Sequence, residues 1–222
     1  MRTAIKHIMS RTYKPWLEKY LAQTRVYRYG PLRLEVPPEV FHPGFFYSTQ
    51  FLLRYLLRLP LQNAAVLELG AGSGLISLSV AARQALVTAT DINPVAIRFL
   101  EKNSSKNNQA VRIIQSDLFE QVPPQQFDMI AINPPYYKKN PQSWIDHAWY
   151  CGENGEYFDR LFQQLPASMH PQTKALMVLC DGCDLAMIHR AASPHHCRLV
   201  LVQEKQSWLE KNFIYQIIPA RG

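Results

Sequence analysis

Short apolar runs alternate along most of the chain with longer segments whose apolar residues recur at helical spacing. Five of these runs are typical of buried strands: residues 64–69, 85–91, 111–115, 127–132 and 174–180. Four segments between or after them have helical spacing: residues 74–83, 94–108, 156–169 and 183–192. Repeated strand–helix–strand units predict an α/β fold, with a mostly parallel sheet and helices on both faces.

The C-terminal end of the chain breaks this alternation. Two further apolar runs, residues 197–204 and 212–219, are separated by only a short link. A link of this length cannot hold a crossover helix. The last strand is therefore predicted to be antiparallel to its neighbour.

The N-terminal part has a different pattern. Residues 2–22 predict a basic amphipathic helix, and residues 25–36 alternate around Gly30-Pro31 as in a short hairpin. Residues 48–59 predict a helix with Ser48 as its N-cap. The predicted organisation is an extension of helix and hairpin over residues 1–40, followed by one domain over residues 41–222.

Length and composition restrict the class of protein. A chain of 222 residues is expected to form one domain with a small extension. No apolar run approaches the roughly 20 residues needed to span a membrane, and the N-terminus lacks the apolar core of a secretory signal. Four cysteines do not indicate a disulfide framework. These features predict a reduced, cytoplasmic setting without a membrane partner.

The positive charge is concentrated near the N-terminus. The chain has a net charge of +7, and residues 1–60 contain ten basic and three acidic side chains. The rest of the chain contains 14 of each sign (24 − 10 and 17 − 3). A basic region favours encounter with a polyanion such as RNA or the ribosome. A solvated helix face explains the same charge without any partner.

Candidate ligand-binding residues follow successive predicted strands. The first strand ends in Glu-Leu-Gly-Ala-Gly-Ser-Gly over residues 68–74, a turn in which glycine lets a ligand approach the backbone. The second ends at Asp91, and an acidic residue there can hold the hydroxyls of a ribose. Asp117 and Leu118 follow the third. Ligands of such folds bind beyond the carboxyl ends of the strands, so these residues are expected to meet.

The fourth strand ends in Asn-Pro-Pro-Tyr-Tyr, residues 133–137. Proline cannot donate to a sheet, so the strand must stop there, and residues that precede proline are held in extended conformations. The motif predicts a rigid platform that carries an amide, free carbonyls and an aromatic ring. Such a platform suits a small planar group that bears an NH2. A loop that only terminates the strand is the alternative interpretation.

Together these motifs resemble the class I S-adenosylmethionine-dependent methyltransferases, whose sheet is Rossmann-like, over roughly residues 40–220. Residues 40–53 and 146–165 are similar to segments of the HemK-like release-factor glutamine methyltransferases. That family typically has Gly-Gly-x-x-Gly after the platform. Here the first glycine is replaced by Cys151, while Gly152 and Gly155 match.

The resemblance implies S-adenosylmethionine as cofactor and assigns residues to its site. The glycine turn would lie beneath the methionine moiety, Asp91 would bind the ribose, and Asp117 would meet the adenine. The residues implied in cofactor binding are Glu68, Gly70, Ala71, Gly72, Gly74, Asp91, Ile92, Asp117, Leu118, Asn133, Phe46, Ser48 and Thr49. Phe45 would join the last three of these in closing the pocket from the N-terminal side.

For catalysis the resemblance implies Asn133, Pro134, Pro135 and Tyr136. The Asn133 side-chain oxygen and the Pro134 carbonyl would accept the two NH hydrogens of the substrate, and Tyr136 would stack on the planar group. Methyl transfer to a protein glutamine, as in release factors, is the favoured hypothesis. Transfer to an adenine or guanine amine of RNA and a catalytically silent binding scaffold are the alternatives. The chain resembles the eukaryotic and archaeal branch of this family, which is similarly short at its N-terminus. The eukaryotic members imply a small activating subunit, and the sequence leaves open whether this chain needs one.

One other set of residues has the types found in metal sites. Cys180, Cys183, His195, His196 and Cys197 offer thiolates and imidazoles in chain order. The gap between the two groups passes through a predicted helix, which makes a compact site awkward. The favoured interpretation is structural: Cys180 ends one buried strand and Cys197 begins another. No metal is therefore predicted.

Overall fold

The computed structural model describes residues 21–45, 47–206 and 210–220. The predicted N-terminal helix therefore lies almost entirely outside the described residues, and it stays a prediction. Phe46, which the sequence assigns to the pocket, also lies outside them. The hairpin, the sheet and its helices are described.

The described elements follow the predicted alternation of strands and helices. The strands are β1 (Arg25–Tyr29), β2 (Leu32–Val36), β3 (Ala65–Leu69), β4 (Leu86–Asp91), β5 (Val111–Gln115), β6 (Phe127–Ile132), β7 (Met169–Cys180), β8 (Cys197–Gln206) and β9 (Lys211–Pro219). The helices are α1 (Tyr47–Leu56), α2 (Leu75–Ala81), α3 (Pro94–Lys106), α4 (Glu156–Gln164) and α5 (Leu185–Ala192). Short 3₁₀ segments lie at Ile145–Ala148, Leu165–Ser168 and Ser193–His195.

The main sheet has seven strands in the order β5-β4-β3-β6-β7-β9-β8. The pairs among β3 to β7 are parallel, and β9 is antiparallel to both β7 and β8. This confirms the predicted mostly parallel sheet with an antiparallel last strand. The chain runs outward from β3 to β5 and then returns to place β6 beside β3. The β3/β6 boundary is therefore the switch point of the fold, where ligands of such sheets bind.

Alternation along each strand divides the core between the two faces of the sheet. Val66 of β3 belongs to a cluster with side chains from α1 and α2, such as Leu52 and Leu78. Leu67, which points to the opposite face, belongs to a cluster with Phe158 of α4 and other side chains of α4 and α5. Successive residues of a strand point to opposite faces, so a nearly continuous apolar run buries both. Helices on both faces are confirmed.

The β1–β2 hairpin is attached to the same core. Leu32 and Leu34 are buried in the cluster that contains Leu52 and Leu78. The Asn103 side chain of α3 accepts from the Glu35 amide at 2.8 Å and donates to the Glu35 carbonyl at 3.0 Å. The proposed division between residues 40 and 41 stays a prediction, since the hairpin and the sheet share a buried cluster.

Several predicted boundaries differ from the structure by one to five residues. Helix α1 begins at Tyr47, so Ser48 lies inside the first turn and is not the N-cap. Helix α4 ends at Gln164 and not at 169, because Pro166 follows and the chain turns through a 3₁₀ segment. Strand β7 then begins at Met169, five residues before the predicted start, and its pairing with β6 is irregular between Phe127 and Met129.

Within the described ranges, no helix has both the length and the apolar character required to cross a membrane.

Candidate functional site

The carboxyl ends of β3 and β6 form the floor of a cavity. Leu69 and Ile132 are partners in adjacent strands, so Gly70 and Asn133 follow at the same edge of the sheet. A cavity of about 410 Å³ opens there and reaches the ends of β4 and β5. This volume lies within the range of small-molecule and cofactor sites, roughly 300–1,000 Å³. The position is the one expected for a ligand at a switch point.

The glycine turn after β3 needs backbone conformations that other residues rarely adopt. Gly70 has a φ of +70° and Gly72 a φ of +54°, and both line the cavity. A Cβ at Gly70 would meet no protein atom within 4 Å, so glycine leaves open space against the cavity. Gly74 does not line the cavity. It caps α2 with a φ of +88°, and a Cβ there would overlap the Leu100 side chain.

Glu68 lies beneath this turn and ties β3 to α2. Its carboxyl accepts from the Ser77 amide at 2.7 Å and from the Ser77 hydroxyl. Burial raises the pKa of Glu68 to about 8, although both hydrogen bonds from Ser77 lower it. Glu68 lines the cavity, so burial favours a neutral carboxyl at its base.

Asp91 ends β4 on the other side of the glycine turn. One carboxylate oxygen accepts from the Gly72 amide at 2.8 Å, and the other accepts from the Asn93 amide at 2.9 Å. Burial raises the pKa of Asp91, while these two amide hydrogen bonds lower it. A carboxylate oxygen can accept more than one hydrogen bond, so both oxygens can still accept from a ligand. The residue is fixed in orientation before any ligand arrives.

Asp117 and Leu118 line the cavity beyond β5. The Asp117 carboxylate is already held by Arg160 of α4, with N–O distances of 2.6 and 3.2 Å. Leu118 has a positive φ of +51° and is buried. Ala71 and Ile92 also line the cavity, as the sequence predicts. Arg160 also lines it, and its identity as the partner of Asp117 could not be read from spacing in the sequence.

Asn133 directly follows β6, and its side chain contacts helix α1. Its side-chain Nδ2 donates to Thr49 Oγ1 at 3.0 Å, and Thr49 is buried in the first turn of α1. Within the described part of the chain, no donor reaches Asn133 Oδ1. The Pro134 carbonyl accepts no backbone N–H among the described residues. Asn133, Pro134, Pro135 and Thr49 all line the cavity, so two acceptors are available at this point.

Tyr136 completes the platform. Tyr136 lines the cavity. The centroid of its ring lies 4.7 Å from the centroid of the Tyr137 ring, and the two ring planes make an angle of 55°. Burial raises the pKa of the Tyr136 hydroxyl, and the neighbouring Cys180 side chain acts in the same direction. Tyr136 and Tyr137 also donate backbone N–H groups to the Trp149 carbonyl, at 3.2 and 2.9 Å. The platform is therefore fixed by the strand on one side and by the following loop on the other.

The N-terminal wall of the cavity differs in part from the sequence expectation. Ser48 lines the cavity, whereas Phe45 packs against His42 with ring centroids 4.7 Å apart and does not line it. Phe41 lines the cavity and contacts Trp149, with ring centroids 5.1 Å apart. Phe41 and Trp149 were not predicted. The resemblance of residues 40–53 and 146–165 to segments of the HemK-like family placed both residues near the site, but it gave neither of them a role.

The loop after the platform leads into α4 through two glycines. Gly152 and Gly155 have positive φ values of +92° and +82°, and Gly155 caps α4. Both conformations favour glycine, which explains why these two positions keep the family pattern. Cys151, at the position that departs from the pattern, is buried, and its Sγ lies 3.4 Å from the Tyr137 carbonyl oxygen.

The cysteine and histidine residues do not gather into one cluster. Cys180 ends β7 and Cys197 begins β8, as the favoured interpretation of the sequence expects. Across the described ranges, no group of three or more His, Cys, Asp or Glu side chains is arranged to hold a metal ion. Cys180 and Cys183 lie close together, with sulfur atoms 3.9 Å apart.

Comparison with known proteins identifies the family. The profile of the methyltransferase small domain matches residues 33–148, which is more than half of the chain. The chain belongs to the methyltransferase small domain family. This confirms the methyltransferase assignment made from the strand-end motifs. The match begins inside the hairpin and ends after the asparagine-proline platform, so it includes both sides of the cavity.

Two relatives carry different activities in their names. The chain is 36% identical over 141 residues to a protein of Methanocaldococcus jannaschii named for N5-glutamine methylation, covering 61% of this chain and 69% of that one. It is 32% identical over 128 residues to a tRNA1(Val) (adenine(37)-N6)-methyltransferase of Shewanella loihica. That match covers 53% of each chain.

The fold of the chain is also found in solved methyltransferases. The Mtq2-Trm112 complex of E. cuniculi, described as responsible for methylation of the eRF1 translation termination factor, has a chain that superposes with a TM-score of 0.60. The superposition covers 82% of this chain and 99% of that one at 17% sequence identity. The identity is too low to compare substrates. The superposition supports the Rossmann-like methyltransferase fold.

Proposed function

We propose that this protein transfers a methyl group from S-adenosylmethionine to the side-chain amide nitrogen of a glutamine in a protein, with a release factor as the favoured substrate. The observation that carries the proposal is that the asparagine-proline platform has two hydrogen-bond acceptors without a partner among the described residues. Asn133 Oδ1 and the Pro134 carbonyl are both available acceptors at the edge of the cavity, while Asn133 Nδ2 is engaged by Thr49. Two acceptors in this position suit a group with two NH hydrogens.

The residues around the cavity fit the proposed cofactor. Asp91 is held by two backbone amides and can still accept from the two hydroxyls of a ribose. Gly70 has no side chain to fill the space beside the turn, so the methionine moiety of the cofactor can approach the backbone there. Leu118 and Ile92 supply apolar surface for the adenine. When bound, the cofactor supplies an electrophilic methyl group on a sulfonium.

The contribution of the chain to methyl transfer is positioning and electrostatic stabilisation. An amide nitrogen is a poor nucleophile because its lone pair is delocalised. Asn133 Oδ1 and the Pro134 carbonyl would accept its two hydrogens, aim the nitrogen at the methyl group and stabilise the positive charge that develops on it. Tyr136 would lie against the planar amide. No strong base is required before attack, because the methylated nitrogen loses its proton easily.

A planar amine on a nucleobase is the second candidate substrate. It would present the same two hydrogens to the same acceptors, and one relative is named for methylation of adenine in a tRNA. The net charge of +7, most of it near the N-terminus, favours a polyanionic substrate. The glutamine proposal is favoured by the segments before and after the core, including Gly152 and Gly155, which resemble the release-factor enzymes.

The experiment that tests the proposal uses radiolabelled S-adenosylmethionine and recombinant release factor, with and without RNase. We expect label on the protein, at a glutamine, and no effect of RNase. Label on RNA that disappears with RNase would replace the glutamine proposal by the nucleobase candidate. Cofactor binding without transfer to either acceptor, also after addition of the activating subunit described below, would indicate the silent scaffold.

An activating subunit is part of the same proposal. What supports it is the fold shared with a chain from a complex that is named for two proteins, Mtq2 and Trm112. Activity of the purified chain alone, compared with activity after addition of a recombinant subunit of that type, tests this requirement. Translation factors and tRNA would place the reaction in the cytoplasm.

A further inference from the structure

We infer that Thr49 is a positioning residue that holds the Asn133 amide in the orientation seen in the structure, in which Nδ2 is engaged and Oδ1 is left to face the reacting nitrogen. The inference rests on the proposed function and assigns Thr49 a role through Asn133 in place of a direct contact with the cofactor. The two residues are 84 positions apart in the chain, and α1 brings the hydroxyl to the end of β6.

The need for such a residue follows from the symmetry of a primary amide. The oxygen and the NH2 group of asparagine have nearly the same shape, but one accepts hydrogen bonds and the other donates them. If Nδ2 faced the cavity, it would oppose the NH hydrogens of the substrate and the positive charge of the transferring methyl group. The side chain is useful only in one of its two orientations.

In the structure the amide has this orientation, and Thr49 is placed to hold it there. Its Oγ1 accepts from Asn133 Nδ2 at 3.0 Å, which directs the donor away from the substrate position. Thr49 is 8% exposed and lies in the first turn of α1, whose other buried side chains include Phe51 and Leu52. A buried hydroxyl on a packed helix has little freedom to move, so the Asn133 side chain is anchored before substrate binds.

The neighbouring proline restricts the backbone but not the side-chain amide. Asn133 precedes Pro134, which limits its φ and ψ angles. The terminal rotation of an asparagine side chain is broad and remains open to both orientations. The backbone and the amide are therefore fixed by different groups, and only the second depends on Thr49.

The test combines substitution at Thr49 with substitution at Asn133. Thr49→Val keeps the size and branching of the side chain and removes the acceptor, whereas Thr49→Ser keeps the hydroxyl. We expect Thr49→Val to lower kcat for methylation of recombinant release factor by roughly tenfold, the factor for one net hydrogen bond. Thr49→Ser should stay near the wild-type value. Thr88→Val, the same change at a buried strand residue that does not line the cavity, is the control.

A double-mutant cycle distinguishes action through Asn133 from any other role. If Thr49 acts through Asn133, Thr49→Val should cause little further loss of kcat in the Asn133→Ala background. An equal loss in both backgrounds would overturn the inference. Weaker binding of S-adenosylmethionine by Thr49→Val in both backgrounds would also overturn it, because Thr49 would then act on the cofactor.

A readout independent of activity separates this inference from the proposed function. In nitrogen-15 NMR spectra of the protein without ligand, the Asn133 side-chain NH2 signals are identified by their absence in Asn133→Ala. We expect Thr49→Val to shift them strongly and Thr49→Ser to leave them close to their original positions. Unchanged signals in Thr49→Val would overturn the inference even if the methyltransferase function held. If methylation failed altogether, this measurement would still show whether the Asn133 side chain donates a hydrogen bond to Thr49.

Discussion

The buried carboxyl of Glu68 should make the stability of the protein depend on pH. Burial raises its pKa from an ordinary value of 4.5 to about 8. An acid whose pKa is raised by folding contributes stability that is fully present below pH 4.5 and is lost as the pH rises through about 8. At 1.36 kcal/mol for each tenfold change in proton affinity, the whole loss is about 5 kcal/mol. Between pH 5.5 and 8 it is about 3 kcal/mol.

Glu68→Gln provides the matched comparison, because the amide stays neutral at every pH and its oxygen can accept from Ser77 as the carboxyl does. Urea denaturation of both proteins without ligand, at pH 5.5, 7 and 8, gives the free energies of unfolding. We expect wild type to lose about 3 kcal/mol relative to Glu68→Gln across this range. Parallel pH profiles would refute the reasoning and would mean that Glu68 is ionised in the folded protein.

Three further substitutions test other parts of the site. Asp91→Ala should weaken binding of S-adenosylmethionine by about 1–3 kcal/mol, because the ribose hydroxyls lose their acceptor; unchanged affinity by calorimetry would remove Asp91 from the site. Gly74→Ala should lower the free energy of unfolding by about 1–3 kcal/mol and by more than Gly30→Ala, which shares the positive φ but meets no neighbour within 4 Å. Equal losses in urea denaturation would contradict the role of the Leu100 contact. Tyr136→Ala should raise the apparent KM for release factor while Tyr136→Phe should change it little, and equal effects of both would assign the role to the hydroxyl.

Much of the fold could be predicted from the sequence because its signals are local. Residues 64–69 and 127–132 are apolar except for Glu68 and Asp128, which indicates strands buried on both faces, and the structure has β3 and β6 there. Pro94 correctly marks the start of α3, where the Asn93 side chain accepts from the Val95 amide as N-cap. The predicted start of β7 was wrong. Residues 169–173 have no apolar pattern of their own, and the strand begins where Met169 pairs with β6.

The candidate site could be predicted only where residues follow strand ends. Asp91 is the last residue of β4 and Asn133 directly follows β6, and the topology of the sheet brings such positions together. The partners of these residues depend on tertiary packing. Arg160 reaches Asp117 from α4, and Phe41 meets Trp149 from a distant loop. No spacing along the chain connects those pairs, so the structure was needed to find them.

The most direct test of the proposed mechanism is the effect of Asn133→Ala on turnover and on cofactor affinity, measured on the same preparations. The kinetics use recombinant release factor, and calorimetry gives the affinity for S-adenosylmethionine. We expect kcat to fall by about 10²–10³, the range for loss of one oriented hydrogen bond in a transition state, while cofactor affinity barely changes. Turnover near the wild-type value would contradict the mechanism and would leave the asparagine-proline platform as a strand terminator only.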